Sequence, residues 1–181
     1  YLIEVKTGVS FDEYTRSHIF APLEMNNTGW KIENLDSNKV SLQYWDRNSP
    51  LPYYTHAGYP DGMLMTSIDD LSKFMMEMMR AKAGTSDYLL SEDSYRLLFE
   101  RKLDPKPENM PLNRDNYGIF WGWSTSGRLG HTGGDIGSFA LFGINPVTNS
   151  GSILIINSNV DDVDNGALEV VQEIVNAYRS F

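Results

Sequence analysis

The chain has 181 residues, of which 41% are apolar and 12% aromatic, a composition that supports one sizeable hydrophobic core and excludes a disordered chain. Its 24 acidic and 15 basic residues give a net charge of −9 without a basic run, which argues against binding to nucleic acid or to an anionic membrane surface. The absence of cysteine excludes disulfides, thiolate metal sites and a cysteine nucleophile.

Three helices are predicted in the first part of the chain, over residues 10–20, 67–81 and 91–102. The first two begin at a serine, Ser10 and Ser67, with an acidic residue three positions later, which is the spacing of a helix cap. The acidic residues at the start of the second helix are explained by that cap and by the helix dipole, so they do not indicate a metal site.

Residues 26–61 are predicted to form a long loop region packed by its own aromatic side chains. Loops of this length are usually functional or cover a functional cleft. His56 lies inside this region and is therefore a candidate to face such a cleft and contact a substrate.

The pattern changes to strands after residue 116. Runs rich in β-branched and aromatic residues predict strands over residues 117–124, 138–144 and 152–157, with a hairpin connection at 145–151 and a closing amphipathic helix over 166–179. Helices followed by an antiparallel sheet that is covered by a C-terminal helix give an α+β fold.

The chain contains no motif for a nucleophile. There is no Ser-x-x-Lys and no Gly-x-Ser-x-Gly, so no activated serine is predicted within these residues. The three histidines, His18, His56 and His131, lack the spacing of a metal site, and we expect no metal and no cofactor. A metal enzyme that uses His56 and His131 is the last of three interpretations.

One glycine-rich stretch carries candidate chemistry. His131 and Thr132 stand between Gly130 and the pair Gly133 and Gly134, directly before a strand-like run. Glycines let the backbone of an edge strand approach a ligand, and the Gly134 N–H could serve a developing oxyanion. On spacing alone, the stretch is either a glycine-rich turn or one wall of an active site.

Several segments resemble the serine β-lactamase-related family, which includes class C β-lactamases, D-alanyl-D-alanine carboxypeptidases and esterases. Four segments match its motifs in order: FDEYTRSHIFAPLEMNNTGW, AGYPDGMLMTSIDDLSKFM, YGIFWGW and GHTGGDIGSFALFGINP. The GSILIINSN run then fits the next sheet strand. The match spans nearly the whole chain and implies one β-lactamase/transpeptidase-like domain over residues 1–181, with helices and loops over 1–115 and the sheet and last helix over 116–181.

The resemblance also implies roles for the glycine-rich stretch. The family's third active-site motif is Lys or His, then Thr or Ser, then Gly, and His131, Thr132 and Gly133 match it. Thr132 and Gly133 would contact the substrate, with Thr132 on its carboxylate. His131 would organise charge in the cleft, and the Gly134 N–H would be one oxyanion donor. Histidine in place of lysine favours the peptidase or esterase branches.

Two family motifs, Ser-x-x-Lys and Tyr-x-Asn, are absent from these residues and would lie upstream. The resemblance therefore implies the C-terminal portion of a bacterial serine hydrolase that works through an acyl-enzyme and is exported to the periplasm or cell exterior. The first five residues read like the middle of a helix, which fits a truncated or processed chain. Taken alone, the chain should be inactive. Glu24 stands where the family usually has glycine, which suggests a different backbone at that turn.

The expected substrate is a small molecule or a peptidoglycan-type peptide. The alternative function is a non-catalytic binding or assembly module of the same fold. Because the family builds its sheet from both ends of the chain, we also expect an exposed sheet edge, and through it rearrangement, pairing with a second copy, or aggregation.

Overall fold

The computed structural model describes residues 1–46, 48–55, 58–112, 114–159 and 167–180. Its helices are Leu2–Thr7 (α1), Phe11–Thr15 (α2), Ile68–Lys82 (α3), Glu92–Phe99 (α4) and Ala167–Ser180 (α5). Its strands are Tyr44–Asp46 (β1), Ser49–Pro50 (β2), Arg114–Tyr117 (β3), Gly122–Ser124 (β4), Leu129–Asp135 (β5), Ser138–Asn145 (β6) and Ser150–Ile156 (β7). None of the described helices is long and apolar enough to cross a membrane.

The predicted helix caps are confirmed. The Ser10 hydroxyl accepts a hydrogen bond from the Glu13 N–H at 3.2 Å, and the Ser67 hydroxyl accepts one from the Asp70 N–H at 3.1 Å. A π-helical turn, Arg16–Phe20, continues α2, so the helical segment fills the predicted range. Each cap satisfies a backbone donor that has no partner within its own helix, and so fixes where the helix begins.

The third predicted helix is shorter than expected. α4 ends at Phe99, and Glu100 already has an extended backbone. The Lys102 N–H then donates to the Tyr117 carbonyl, and the Leu103 N–H donates to the Asn116 side chain. The prediction of a helix up to residue 102 is therefore wrong, because the chain leaves the helix to bond alongside β3.

The larger described sheet is antiparallel, with the order β3-β4-β5-β6-β7, and this confirms the α+β class. β1 and β2 form a separate two-stranded antiparallel sheet. The predicted strand over residues 117–124 is wrong, since it is two strands joined by a turn at residues 118–121. In that turn the Gly118 N–H donates to the Trp121 carbonyl at 2.7 Å. The turn therefore reverses the chain inside what reads as one apolar run.

Helices cover both faces of this sheet. On one face, α3 and α4 contribute to a buried cluster with strand residues: Met75, Met78, Ala81, Tyr95, Phe99, Trp121, Trp123, Leu129 and Ile144. On the other face, Ile174 and Ala177 of α5 line a cavity together with Leu141 and Leu154. The predicted cover by the C-terminal helix and a helical segment is thus present.

The two ends of β5 have different neighbours in the sheet. Every residue of β5 pairs with β6, but only Leu129 and Gly130 also pair with β4. The prediction that the glycine-rich stretch lies on an edge strand is therefore correct only from His131 onward. Among the described residues, the second half of β5 has one open side.

The turn at residues 22–30 is fixed to α3 by the Asp70 carboxylate, which is only 1% exposed. The carboxylate accepts from the Asn27 N–H at 2.7 Å, the Thr28 hydroxyl at 3.0 Å and the Lys73 ammonium at 3.0 Å. Glu24 lies in this turn at φ 56, the left-handed conformation that favours glycine. The prediction of a different backbone at this turn is therefore wrong, because Glu24 adopts the conformation that favours glycine.

Candidate functional site

The structure places His131, Thr132, Gly133 and Gly134 in sequence along the open side of β5, and all four are exposed. The His131 Nδ1 lies 2.6 Å from the Thr132 carbonyl oxygen, so in the neutral ring Nδ1 carries the hydrogen and Nε2 remains an acceptor. Among the described residues, the Thr132 hydroxyl has no hydrogen-bond partner. The stretch therefore offers a hydroxyl and an imidazole to a molecule at this strand.

The glycines of this stretch are of two kinds. A side chain at Gly130 would overlap the Phe142 carbonyl oxygen and lie 2.9 Å from the Gly143 Cα, so this glycine is required for packing within the sheet. At Gly133 and Gly134 an added Cβ would meet nothing within 4 Å. The prediction that all three admit a ligand is therefore wrong for Gly130, and the accessible positions are Gly133 and Gly134.

The long loop contacts the turn that follows the C-terminal end of β5. The Tyr54 hydroxyl donates to the Ile136 carbonyl at 2.6 Å, in the turn that joins β5 to β6. Burial and the nearby Asp135 carboxylate raise the pKa of Tyr54 above its usual value. The prediction that the loop covers a functional region stays a prediction, but its contact with this end of β5 is direct.

Gly137 allows this close contact between the loop and the β5–β6 turn. It has φ 71, and an added Cβ would overlap the Leu51 side chain. Its N–H donates to the Asn159 side chain at 2.7 Å. Tyr54 is not among the predicted site residues, and the sequence carries no local signal for its contact with the β5–β6 turn. His56 itself lies outside the described residues.

The described part of the chain lacks a nucleophile with its base. Among these residues no serine is hydrogen-bonded to a lysine or histidine side chain. Within the same residues no group of three or more histidine or acidic side chains could hold a metal ion. In the described part of the chain, the groups around His131 and Thr132 are therefore hydrogen-bonding groups without an activated nucleophile beside them.

Comparison with known families and structures bears on the family and the fold of this chain. The family described as Beta-lactamase matches residues 1–176. No curated protein matches the chain by sequence.

Solved structures share the fold over most of the chain. The octameric penicillin-binding protein homologue from Pyrococcus abyssi is similar with a TM-score of 0.70 and 23% identity, over 87% of this chain and 36% of that one. The D-amino acid amidase from Ochrobactrum anthropi SV3, solved with D-phenylalanine, has a TM-score of 0.69 and 23% identity, over 97% and 57%. A D-stereospecific amidohydrolase from Streptomyces sp. has a TM-score of 0.56 and 17% identity, over 87% and 46%. The chain thus spans between about a third and somewhat more than half of these structures.

Proposed function

The chain belongs to the beta-lactamase family, and on this premise we propose that it is part of a serine hydrolase that cleaves an amide or ester beside a carboxylate through a serine acyl-enzyme. The observation that carries the proposal is the exposed row from His131 to Gly134 on the open side of β5. A family match alone gives the fold, whereas this row offers hydrogen-bonding groups that would hold a substrate.

Each residue of the row has a role in the proposed reaction. The free Thr132 hydroxyl donates to the substrate carboxylate, which is the stronger kind of hydrogen bond because the acceptor is charged. The Gly134 N–H stabilises the oxyanion of the tetrahedral intermediate, and Gly133 leaves room for the substrate backbone. His131 organises charge in the cleft, and His56 contacts the substrate.

The nucleophilic serine and its lysine base belong to a segment upstream of residue 1 in this proposal. Ser-x-x-Lys and Tyr-x-Asn are absent from the 181 residues, and the similar solved structures are longer than this chain. The 181 residues on their own are therefore inactive, since they hold the binding groups without the group that forms the acyl bond.

The proposal extends to substrate class and location. Substrates are small β-lactam, D-alanyl or ester compounds, and the complete protein works in the periplasm or outside the cell. The titles of two similar structures name a D-amino acid amidase and a D-stereospecific amidohydrolase, which supports testing D-amino acid amides first.

Self-association is also proposed for this chain. β7 is the last strand of the described sheet, and its Ile155 is 40% exposed. An open apolar strand edge favours pairing with another strand. The similar penicillin-binding protein homologue is itself described as octameric, which supports the idea that this fold tolerates assembly.

A second candidate is a non-catalytic binding module of the same fold. It is favoured by one observation, namely that no serine in the described residues has a lysine or histidine partner. The upstream sequence separates the two candidates, because an in-frame Ser-x-x-Lys and Tyr-x-Asn support the hydrolase, and a substituted serine supports the module.

The experiment compares the longest natural form of the protein with its Thr132→Ala variant, using nitrocefin and p-nitrophenyl acetate, and a D-alanyl-D-alanine peptide. We expect turnover by the natural form and a loss of about 10- to 100-fold in kcat/KM for the carboxylate-bearing substrates in the variant, because a charged hydrogen bond is removed. Thr125→Ala is the matched control, since Thr125 is an exposed threonine in the β4–β5 turn. Absence of turnover in the natural form, or equal loss in both variants, would contradict the proposal.

A further inference from the structure

The turn between β3 and β4 presents an aromatic side chain to solvent. Phe120 is 88% exposed, and its φ of 62 is in the left-handed region that non-glycine residues rarely adopt. The next residue, Trp121, is buried and packs edge-on against Phe99 and Phe142. One aromatic residue of the turn thus belongs to the core, while its neighbour points away from it.

Backbone hydrogen bonds hold this turn in place. The Gly118 N–H donates to the Trp121 carbonyl at 2.7 Å, and the Ile119 N–H donates to the Leu98 carbonyl at 2.9 Å. Phe120 lies between these anchors, so its exposure is imposed by the turn and does not come from a loose segment. A strained residue that is held by its surroundings is a recurrent feature of functional sites.

The register of the sheet locates Phe120 beside the candidate site. β4 pairs with β5 as Trp123 with Leu129 and Gly122 with Gly130, where the ladder ends. The pairing itself ends there, and counting two residues further along each chain segment sets Phe120 level with Thr132. The turn therefore stands where β5 loses its β4 partner and its open side begins.

We propose that Phe120 determines specificity at this site by packing its ring against an apolar group of the substrate whose carboxylate is held at Thr132. This inference rests on the proposed function and deepens it, because it names the substrate feature that is preferred. An exposed aromatic ring provides a large apolar contact at little cost in side-chain freedom. The enzyme prefers acyl groups that are long or bulky over an acetyl group.

The test uses the longest natural form of the protein with N-acetyl-D-alanine and N-hexanoyl-D-alanine, which share the amide and the carboxylate and differ in the acyl chain. Released alanine gives kcat/KM for each compound. We expect Phe120→Gly to lower the preference for the hexanoyl compound by about tenfold, since the apolar contact is lost. Val147→Gly is the control, because Val147 is 85% exposed in the β6–β7 turn, away from the site.

The thermal unfolding midpoint distinguishes a role of Phe120 in substrate preference from a role in stabilising the fold. Glycine suits a φ of 62, so Phe120→Gly should unfold at the same temperature as the natural form or higher. An unchanged acyl preference would overturn the inference, and so would a lower midpoint, because that would assign the ring to packing within the complete protein.

Binding distinguishes a failure of this inference from a failure of the proposed function. If the natural form hydrolyses neither compound, the proposed function fails, and the same two compounds then act as ligands in a titration followed by NMR. Tighter binding of the hexanoyl compound that disappears in Phe120→Gly supports the inference. Equal binding of both compounds to the natural form, or a preference that persists in the variant, overturns it.

Discussion

The Tyr54 hydroxyl and the Ile136 carbonyl form a 2.6 Å hydrogen bond that joins the long loop to the end of β5. Residues 82 positions apart are thereby brought to one end of the exposed row that begins at His131. At the other end of the row stands the turn that carries Phe120. The candidate site is thus a strand segment with one open side and a fixed structure at each end.

Tyr54→Phe should lower the free energy of unfolding by about 1 kcal/mol at pH 8, because one hydrogen bond to the backbone is lost. The folded-state pKa of Tyr54 is raised, chiefly by burial and then by Asp135, so its contribution is complete below the unfolded pKa of about 10 and is lost as the pH rises through the folded pKa. Urea unfolding at pH 8 and pH 11 measures this.

The difference in the free energy of unfolding between the natural protein and Tyr54→Phe should therefore be smaller at pH 11 than at pH 8. Tyr53→Phe is the control, because Tyr53 also donates to a backbone carbonyl but is 45% exposed and should contribute less. If the stabilisation by the Tyr54 hydroxyl increased between pH 8 and pH 11, the raised pKa assigned to Tyr54 would be wrong.

Gly130→Ala should destabilise the protein by about 1 to 3 kcal/mol or more, because the new methyl group overlaps backbone atoms of β6 that cannot move independently. Gly133→Ala should leave stability within about 0.5 kcal/mol, since its Cβ meets open space, but should lower kcat/KM by crowding the site. Chemical unfolding and activity are measured on the same preparations. Equal stability of the two variants would refute this separation of roles.

Asp70→Asn should cost about 2 to 4 kcal/mol, because the buried carboxylate accepts charged and neutral hydrogen bonds that an amide satisfies only in part. Asp69→Asn is the matched control in the same helical turn. Asp69 is exposed, so its loss should cost less than about 1 kcal/mol through the helix dipole. A comparable cost for both substitutions in urea unfolding would show that the network around Asp70 contributes little.

The 181-residue chain prepared on its own should self-associate through β7. Ile155→Lys should reduce this association, because a charged side chain on an open strand edge opposes pairing. Light scattering gives the mass of both proteins in solution, and ANS binding reports exposed apolar surface. A monomeric chain that binds no ANS would argue against an open edge.

Much of the fold could be predicted from local signals. Ser10 and Ser67 fix the starts of two helices through short-range hydrogen bonds. The apolar runs of β6 and β7 form two antiparallel strands that a short hairpin joins. The pattern at 117–124 predicts one strand, but the turn at Phe120 uses a left-handed aromatic residue in place of glycine, and sequence patterns give no signal for that. The end of α4 was misread because long-range bonds to β3 decide it.

The candidate site was only partly predictable. His131 to Gly134 resemble a family motif that can be read in the sequence, and their role in a site stays a prediction. The distinction between Gly130 and Gly133 depends on how closely β6 approaches, which is a tertiary property. Tyr54 reaches the site through a bond across 82 positions, and no local pattern encodes such a contact.

We propose that the row from His131 to Gly134 is one wall of a serine hydrolase site that is completed from upstream. The most direct test treats the longest natural form of the protein with a fluorescent penicillin and a fluorophosphonate, and maps the modified residue by mass spectrometry. We expect one modified serine upstream of residue 1, with lysine three positions later, and weaker penicillin labelling in Thr132→Ala. Labelling of a serine within residues 1–181, or no labelling by either probe, would contradict it.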